Sequence, residues 1–403
     1  MGSCNSREHG KPNLQTSSTY HPTRELERDT PLTSGSGRSD GAVENRAVHQ
    51  GAILGITSAG IGEFVTCGED KALHLHNLVG ESGSFLNRIS FTGHTKAVAR
   101  ASYGATTGLV YSCSRDTTLR QWNRSGSSAL RVFEGHDMAC TALALSADER
   151  TLASGSRDTS VRTWDVQTGQ CTASAKIPRN LVTCLKYLSA ESSASVVQGG
   201  EDLRLRVWDV RQAGLRPSLT IEGYTFFPLC VDVSAYGHEV LTSCKGFSGT
   251  GCETKLWDLR NTGAPVREYT GHAQDTTSCV FLETQRGVVD EEGRIDDGDS
   301  GWDVPASVSY RMVATASKDE TIKIYDRDSG DTVVDHAELG CGGFTGLACQ
   351  HDPGTGLPVL CASTITGGLY VFQLGQTRVV ESAGGAEGWR LRCVGFVRGT
   401  AIL

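Results

Sequence analysis

From Cys140 to Asp165 apolar and polar residues alternate in three short bursts. CTALAL comes first, TLASGS follows the polar SADER, and SVRTWD follows a turn at Arg157-Asp158. A period of two over four to eight residues, broken by short polar turns, predicts an antiparallel meander of β-strands. One such sheet has two faces to cover and cannot bury both alone. It needs neighbours of its own kind.

The same pattern recurs along the chain. Arg115-Asp116 leads to Trp122-Asn123, Asp158 to Trp164-Asp165, and Glu201-Asp202 to Trp208-Asp209, while Trp257-Asp258 and Tyr325-Asp326 close two more units. Trp122 to Trp164 is 42 residues and Trp164 to Trp208 is 44. Gly-His precedes a new first strand at Gly93-His94, Gly135-His136 and Gly271-His272. A period of about 40–45 residues with these landmarks is the signature of WD repeats. From about residue 46 onward the chain resembles the WD-repeat family. The resemblance implies an all-β fold: a seven-bladed WD-repeat β-propeller over residues 47–403, behind a disordered N-terminal tether over residues 1–46.

In that family the Gly-His histidine, a second-strand Ser or Thr, the turn Asp and the third-strand Trp form a hydrogen-bonded chain within each blade. Carried over residue by residue, this implies His136, Ser154 or Ser156, Asp158 and Trp164 in the third blade. Elsewhere it implies His94, Asp116 and Trp122; Asp202 and Trp208; Trp257; and His272 with Asp319. A buried indole N–H and a buried carboxylate each need a partner, and the chain supplies both. A Ser/His/Asp set repeated blade after blade therefore reads as scaffold rather than as a catalytic triad.

The blades are expected at Gly51–Phe91, His94–Phe133, His136–Ala175, Leu181–Ile221, Phe227–Tyr269, His272 onward, and Gly343 to about Ser382. Blade one has His76-Asn77 in place of Trp-Asp, which predicts a weaker network, and blade four has Arg179-Asn180 in place of Gly-His. Blade five carries an enlarged turn, KGFSGTGCETK, too glycine-rich for a strand. Blade six is interrupted by an acidic insertion over residues 283–311. Its DDGDSGWD lacks the ordered ligands and the bidentate Glu of a calcium loop, and reads as a solvated loop. The tail GWRLRCVGFVRGTAIL exceeds the count of seven. It is expected to latch the ring shut beside blade one, the alternative being the start of an eighth blade.

Composition narrows the function. The chain has 403 residues, and 48 glycines against 10 prolines suit many tight turns between strands. A net charge of −8 gives no basic footprint for nucleic acid, so none is expected as a partner. None of the 14 cysteines forms a CxxC pair. Cys140, Cys184, Cys230, Cys279 and Cys349 fall in first strands, where a small apolar side chain packs well. No metal ligands cluster along the sequence, and no cofactor is expected. Cys244 and Cys252 flank the glycine-rich turn as a close pair; a reducing compartment is expected. No phosphate loop or nucleophile elbow is present, which points away from an enzyme.

The N-terminus carries its own chemistry. MGSCNSR matches the N-myristoylation pattern, with Gly2 as acceptor after loss of Met1, and Cys4 stands where a palmitoyl group is added in dually acylated proteins. One myristoyl chain gives only marginal membrane binding, with K on the order of 10⁴ M⁻¹. Residues 1–46 hold six Lys/Arg against six Asp/Glu, so no basic patch can substitute for a second lipid. The alternative is a chance match in a floppy terminus.

The run SRDTSVRTWDVQTGQ, then PRNLVTCLKYL, then SCKGFSGTGCETKLWDLRNT, resembles the WD repeat-containing protein thirty-one family. The glycine loop is its most specific piece, since generic WD repeats lack it. This resemblance implies a role at the base of the cilium and in transport of cargo along it. The favoured class is thus a monomeric, non-enzymatic adaptor binding other proteins through its faces, at the cytoplasmic side of a membrane near the cilium. A second class is the substrate receptor of a cullin-type ubiquitin ligase. WDVR and WDLR end two consecutive blades, and Arg211 and Arg260 are the candidate partner-binding residues. The plainer reading is that each Arg caps a turn at a blade end.

Overall fold

The computed structural model describes residues 48–79, 84–125, 128–188, 194–211, 214–283, 311–352, 356–378 and 387–397. Gly2, Cys4 and the rest of residues 1–46 lie outside them. So does the acidic insertion, apart from Glu283, which ends one strand, and Arg311, which starts the next.

The described strands form seven four-stranded antiparallel sheets, each built from strands consecutive in sequence, and no helix occurs among the described residues. The blades begin at Ile53, Val98, Cys140, Val182, Pro228, Thr276 and Phe344, and the last strand ends at Val397. The first strand of each blade touches the first strand of the next, and the strand Ile53–Ser58 also meets Phe344–His351, which closes the circle. The seven-bladed propeller predicted from the repeat is therefore the fold.

Each blade's second strand is almost wholly buried. EVLTSC, TLASGS and SVVQGG leave only their first residue partly exposed. Both faces of these strands are covered, one by each neighbouring blade. The core is accordingly divided among the blade-to-blade seams. One seam gathers Val182, Leu185 and Trp208 of blade four with Ala142, Ala144 and Val161 of blade three.

The seams also carry hydrogen bonds. In every blade the register between first and second strands slips by one residue near the start of the first strand. A bulge of this kind re-aims one side chain. Here it turns Thr141 toward Val182 O at 2.6 Å, Thr183 toward Pro228 O at 2.6 Å, and Thr277 toward Phe344 O at 2.9 Å. Each threonine donates its hydroxyl proton to the backbone of the next blade.

Closure corrects one expectation. The tail was expected to latch beside blade one, yet Glu387–Val397 is the outermost strand of blade seven. It pairs with Leu369–Arg378 from Arg378↔Glu387 to Leu369↔Val397. That partner is a ten-residue strand with an open edge, and an antiparallel return satisfies its backbone groups directly. Blade seven consequently ends beyond Ser382. Among the described residues no strand is exchanged across the seam between blades seven and one. The seam is held by Val48, Ile53 and Phe64 packed on Ala348, Cys361, Leu369 and Val371. Gln350 bridges it as well: its Oε1 accepts from Gly62 N–H at 2.8 Å, and its Nε2 donates to Ser58 Oγ at 2.8 Å and to Glu63 O.

Because Gln350 bonds two backbone groups and a hydroxyl across this seam, Gln350→Ala should cost about 1–3 kcal/mol through the partners it strands. Urea denaturation of the variant against the unmodified chain measures this. A change below about 0.5 kcal/mol would show that the apolar seam closes the ring unaided.

Candidate interaction faces and the blade networks

Antiparallel blades whose strands run in sequence order gather their loops at two ends. Links into each first strand and turns between second and third strands share one end, the entry end. The remaining turns share the other, the exit end.

At the entry end of blade two, His94 Nδ1 lies 2.8 Å from Asp116 Oδ2 and His94 Nε2 lies 2.8 Å from Ser112 Oγ, while Trp122 Nε1 donates to the same Ser112 Oγ at 2.8 Å. Blade three repeats this with His136 to Asp158 at 2.9 Å, His136 to Ser154 at 2.7 Å and Trp164 to Ser154 at 2.8 Å. Ser154 is thus the hydroxyl in the chain. Ser156 instead donates to Met138 O and accepts from Asp158 N–H. Gly135 has φ +153, and a Cβ there would meet Trp164 at 3.1 Å and Arg162 at 3.0 Å, which is why glycine precedes the histidine. In blade six His272 reaches Asp319 at 3.1 Å and Thr315 Oγ1 at 2.8 Å, while Tyr325 takes the indole position and donates to Thr270 O.

Other blades depart from the expectation. Asp202 is not in a His–Asp chain. Blade four has no histidine to meet it, so it pairs with Arg206, while Asn180 and Gln198 exchange amide hydrogen bonds at 3.2 Å in the core. Trp208 Nε1 reaches Gln198 at 3.4 Å. In blade five Tyr224 stands in for histidine and bonds Thr242 Oγ1 at 2.9 Å, and the Trp257 indole N–H finds no well-aligned acceptor. Blade one, expected to be weak, has a complete chain. His49, Thr66, Asp70 and His76 link through contacts of 2.8 to 2.9 Å. His49 was missed because no glycine precedes it; the signal was its position, 21 residues ahead of Asp70.

At the exit end, Arg211 and Arg260 occupy equivalent positions in adjacent blades, with side chains 73% and 68% exposed. Each fork rests on its own blade's aspartate, Arg211 on Asp209 and Arg260 on Asp258, the latter at 2.7 and 2.9 Å. The Arg260 contact is what chiefly holds the Asp258 carboxyl down at about 2. Solvent screens such exposed pairs strongly, so a partner carboxylate can replace the aspartate at little cost.

The entry end bears exposed apolar side chains: Met138, Leu203, Phe247, Leu339 and Ile365. Phe247, 77% exposed, crowns the glycine turn of blade five. That turn is pinned at several points. Gly246 N–H donates to Asp275 Oδ1 at 3.0 Å, Gly249 N–H to Ala273 O at 3.0 Å, and Lys318 Nζ lies 2.7 Å from Asp275. Cys244 and Cys252 are free thiols beside it. Between the two ends runs a central channel of about 340 Å³, lined by first strands and holding a Lys186–Asp232 ion pair at 3.0 Å.

Residues 86–123 and 127–165 match the WD domain, G-beta repeat family model. The chain carries WD repeats and folds as a WD-repeat propeller. Each match starts on a blade's outer strand and ends on the next blade's tryptophan strand, and the two cover the blades with the full His–Ser–Asp–Trp chain. Among curated proteins, the chain is similar to nuclear distribution protein PAC1 of Gibberella zeae, 30% identical over 164 residues, which is 40% of this chain and 30% of that protein. It is also similar to nuclear distribution protein nudF of Aspergillus niger, 28% identical over 175 residues, 39% of this chain and 38% of that protein. The match thus spans well under half of these relatives' length.

The His–Asp pairs set an acid response. Burial alone would raise the Asp158 carboxyl, but hydrogen bonds from Ser160, His136 and Asp137 N–H outweigh it and hold it at about 2. Asp116 and Asp319 are lowered in the same way. Burial also lowers His136 from its ordinary 6.5, outweighing the attraction of Asp158. In each case the unfolded chain binds the proton more readily, so stability falls as pH falls. The His136 contribution goes first, below about 6.5, and the carboxylates follow below about 4. Urea midpoints should drop from pH 7.5 to 5.5 and more steeply below 4, with the first drop smaller in His136→Gln. A flat or rising midpoint over the first interval would contradict this.

Proposed function

We propose that this propeller is a non-enzymatic adaptor that binds other proteins through its entry end and is held at a membrane by acyl groups on Gly2 and Cys4. The observation that carries the adaptor reading is the Phe247 loop. A solvent-exposed aromatic on a pinned turn loses little entropy on binding, and aromatic anchors of this kind dominate interface energies. The Ser, His and Asp sets that resemble a triad are engaged in the blade networks. The lipid reading rests on the MGSCNSR motif. Each buried CH₂ contributes about 0.8 kcal/mol, so a second chain turns a brief visit into residence.

The likeness of the glycine loop to the WD repeat-containing protein thirty-one family is what supports a ciliary address. The nuclear distribution relatives match under half of this chain and of their own length, an extent that does not support a shared role. Metabolic labelling with an alkyne myristate tests the anchor. Label on the intact chain and none on Gly2→Ala is expected, with Cys4→Ser labelled but soluble; an unlabelled intact chain removes the anchor. Proximity labelling in ciliated cells tests the adaptor: Phe247→Asp should lose a defined set of neighbours at unchanged melting temperature. An unchanged set would remove the entry end as the binding face.

A second reading is favoured by Arg211 and Arg260, which stand exposed and alike on adjacent blades at the exit end. Here the chain would dock on a cullin-type ligase through its propeller adaptor and present substrate from the entry end. Changing both arginines to Ala should abolish co-purification of that adaptor with the fold intact. Absence of the adaptor from pull-downs of the unmodified chain would eliminate this reading.

A further inference from the structure

In blades two and three the hydrogen-bonded chain has one direction. An indole N–H can only donate, so Trp122 donates to Ser112 and Trp164 to Ser154. Each serine then donates to His Nε2, which leaves the imidazole proton on Nδ1, facing the aspartate. The Nδ1 lone pair is thereby taken up.

Blade one differs at two positions. His76 occupies the indole site, paired with Phe64 as Trp122 is with Val110, and its Nε2 lies 2.9 Å from Thr66 Oγ1. An imidazole nitrogen can accept as well as donate. His74 occupies the site of Arg120 and Arg162, two residues earlier, and its Nε2 lies 4.0 Å from Asp70 Oδ2. The His49 and His74 ring centroids are 4.5 Å apart. The chain in this blade can therefore run backwards, from His49 Nε2–H to Thr66 and from Thr66 to His76. With the rings neutral, both directions hold the same number of protons. The reversed one points the His49 Nδ1 lone pair at Asp70 Oδ1, 2.8 Å away. Two lone pairs that close repel unless a cation sits beside them.

We propose that His49 Nδ1, the Asp70 carboxylate and His74 Nε2 form a binding site for a divalent zinc-class cation, with water as fourth ligand. The three atoms lie within 4.8 Å of one another. Ligands about 2.0–2.2 Å from zinc stand roughly 3.3 Å apart on a tetrahedron, so shifts under about 1 Å complete the site. Its outer contacts are in place. Gln50 N–H and Ala72 N–H orient the carboxylate at 3.1 and 3.2 Å. Ser90 Oγ lies 2.9 Å from His74 Nδ1 and can accept from it, in the tautomer in which Nε2 carries the lone pair a metal needs. Both histidines are buried, and the ion reaches them past Asp70, whose side chain is 16% exposed at the entry end. Sequence spacing hides the set, because pairing across the first three strands is what joins His49, Asp70 and His74.

Zinc titration of the full chain by calorimetry tests the site. One equivalent bound with a micromolar dissociation constant is expected. His74→Arg, which installs the residue of blades two and three, should weaken that binding at least tenfold with an unchanged melting temperature in EDTA; His74→Gln serves if the arginine is not tolerated. X-ray absorption of the zinc-loaded unmodified chain should show two imidazoles and oxygen ligands. Binding weaker than millimolar, equal binding by the His74 variants, or sulfur in the zinc shell would overturn the proposal.

Discussion

Every blade has two faces that only another blade can cover, and this constraint governs the rest of the structure. An antiparallel four-stranded sheet with a wholly buried second strand cannot be stable alone. The chain answers by placing its apolar residues at the seams and by bulging each first strand, which in blades three, four and six sends a threonine to the next blade. Stability is therefore shared around the ring, and closure between blades seven and one becomes the step on which the others rely. That seam uses apolar packing and Gln350 instead of an exchanged strand. The first and last blades thus each fold from one continuous stretch of chain.

The polar networks follow from the same constraint. A tryptophan that fills a seam brings an N–H into the core, and the N–H needs an acceptor. A serine accepts it, a histidine takes the serine's proton, and an aspartate takes the histidine's. Where the tryptophan is replaced, the chain of dependence changes with it. Tyr325 reaches a backbone carbonyl, Gln198 serves Trp208 from an amide, and His76 leaves the direction open. Blade one is chemically distinct because the residue at its indole site no longer dictates a direction.

Much of this was legible in the sequence, and the exceptions have causes. The spacing of Trp122, Trp164 and Trp208 was enough for the fold, because a period of 40–45 residues is the length of four strands and their turns. His94, His136 and His272 could be placed because a glycine of positive φ precedes each, and at Gly93 and Gly135 a side chain would also meet the indole ring. His49 lacks that glycine and escaped notice. Asp202 was misplaced since an aspartate in the right turn looks the same whether a histidine or Arg206 awaits it. The strand Glu387–Val397 was misread because outer strands carry no landmark. They are half exposed, their composition is loose, and only their pairing identifies them.

The two ends of the ring differ in what they offer a partner. The exit end presents Arg211 and Arg260 as charges already balanced by neighbouring aspartates, which favours an exchange of one carboxylate for another at little net cost. The entry end presents Phe247 on a turn whose backbone is tied to Asp275 and Ala273, so its position is set before any partner arrives. An apolar anchor gains from leaving water, whereas a balanced arginine gains mainly in specificity. Of these two features, the Phe247 loop should contribute more to affinity for a protein partner, and the arginine pair more to selectivity.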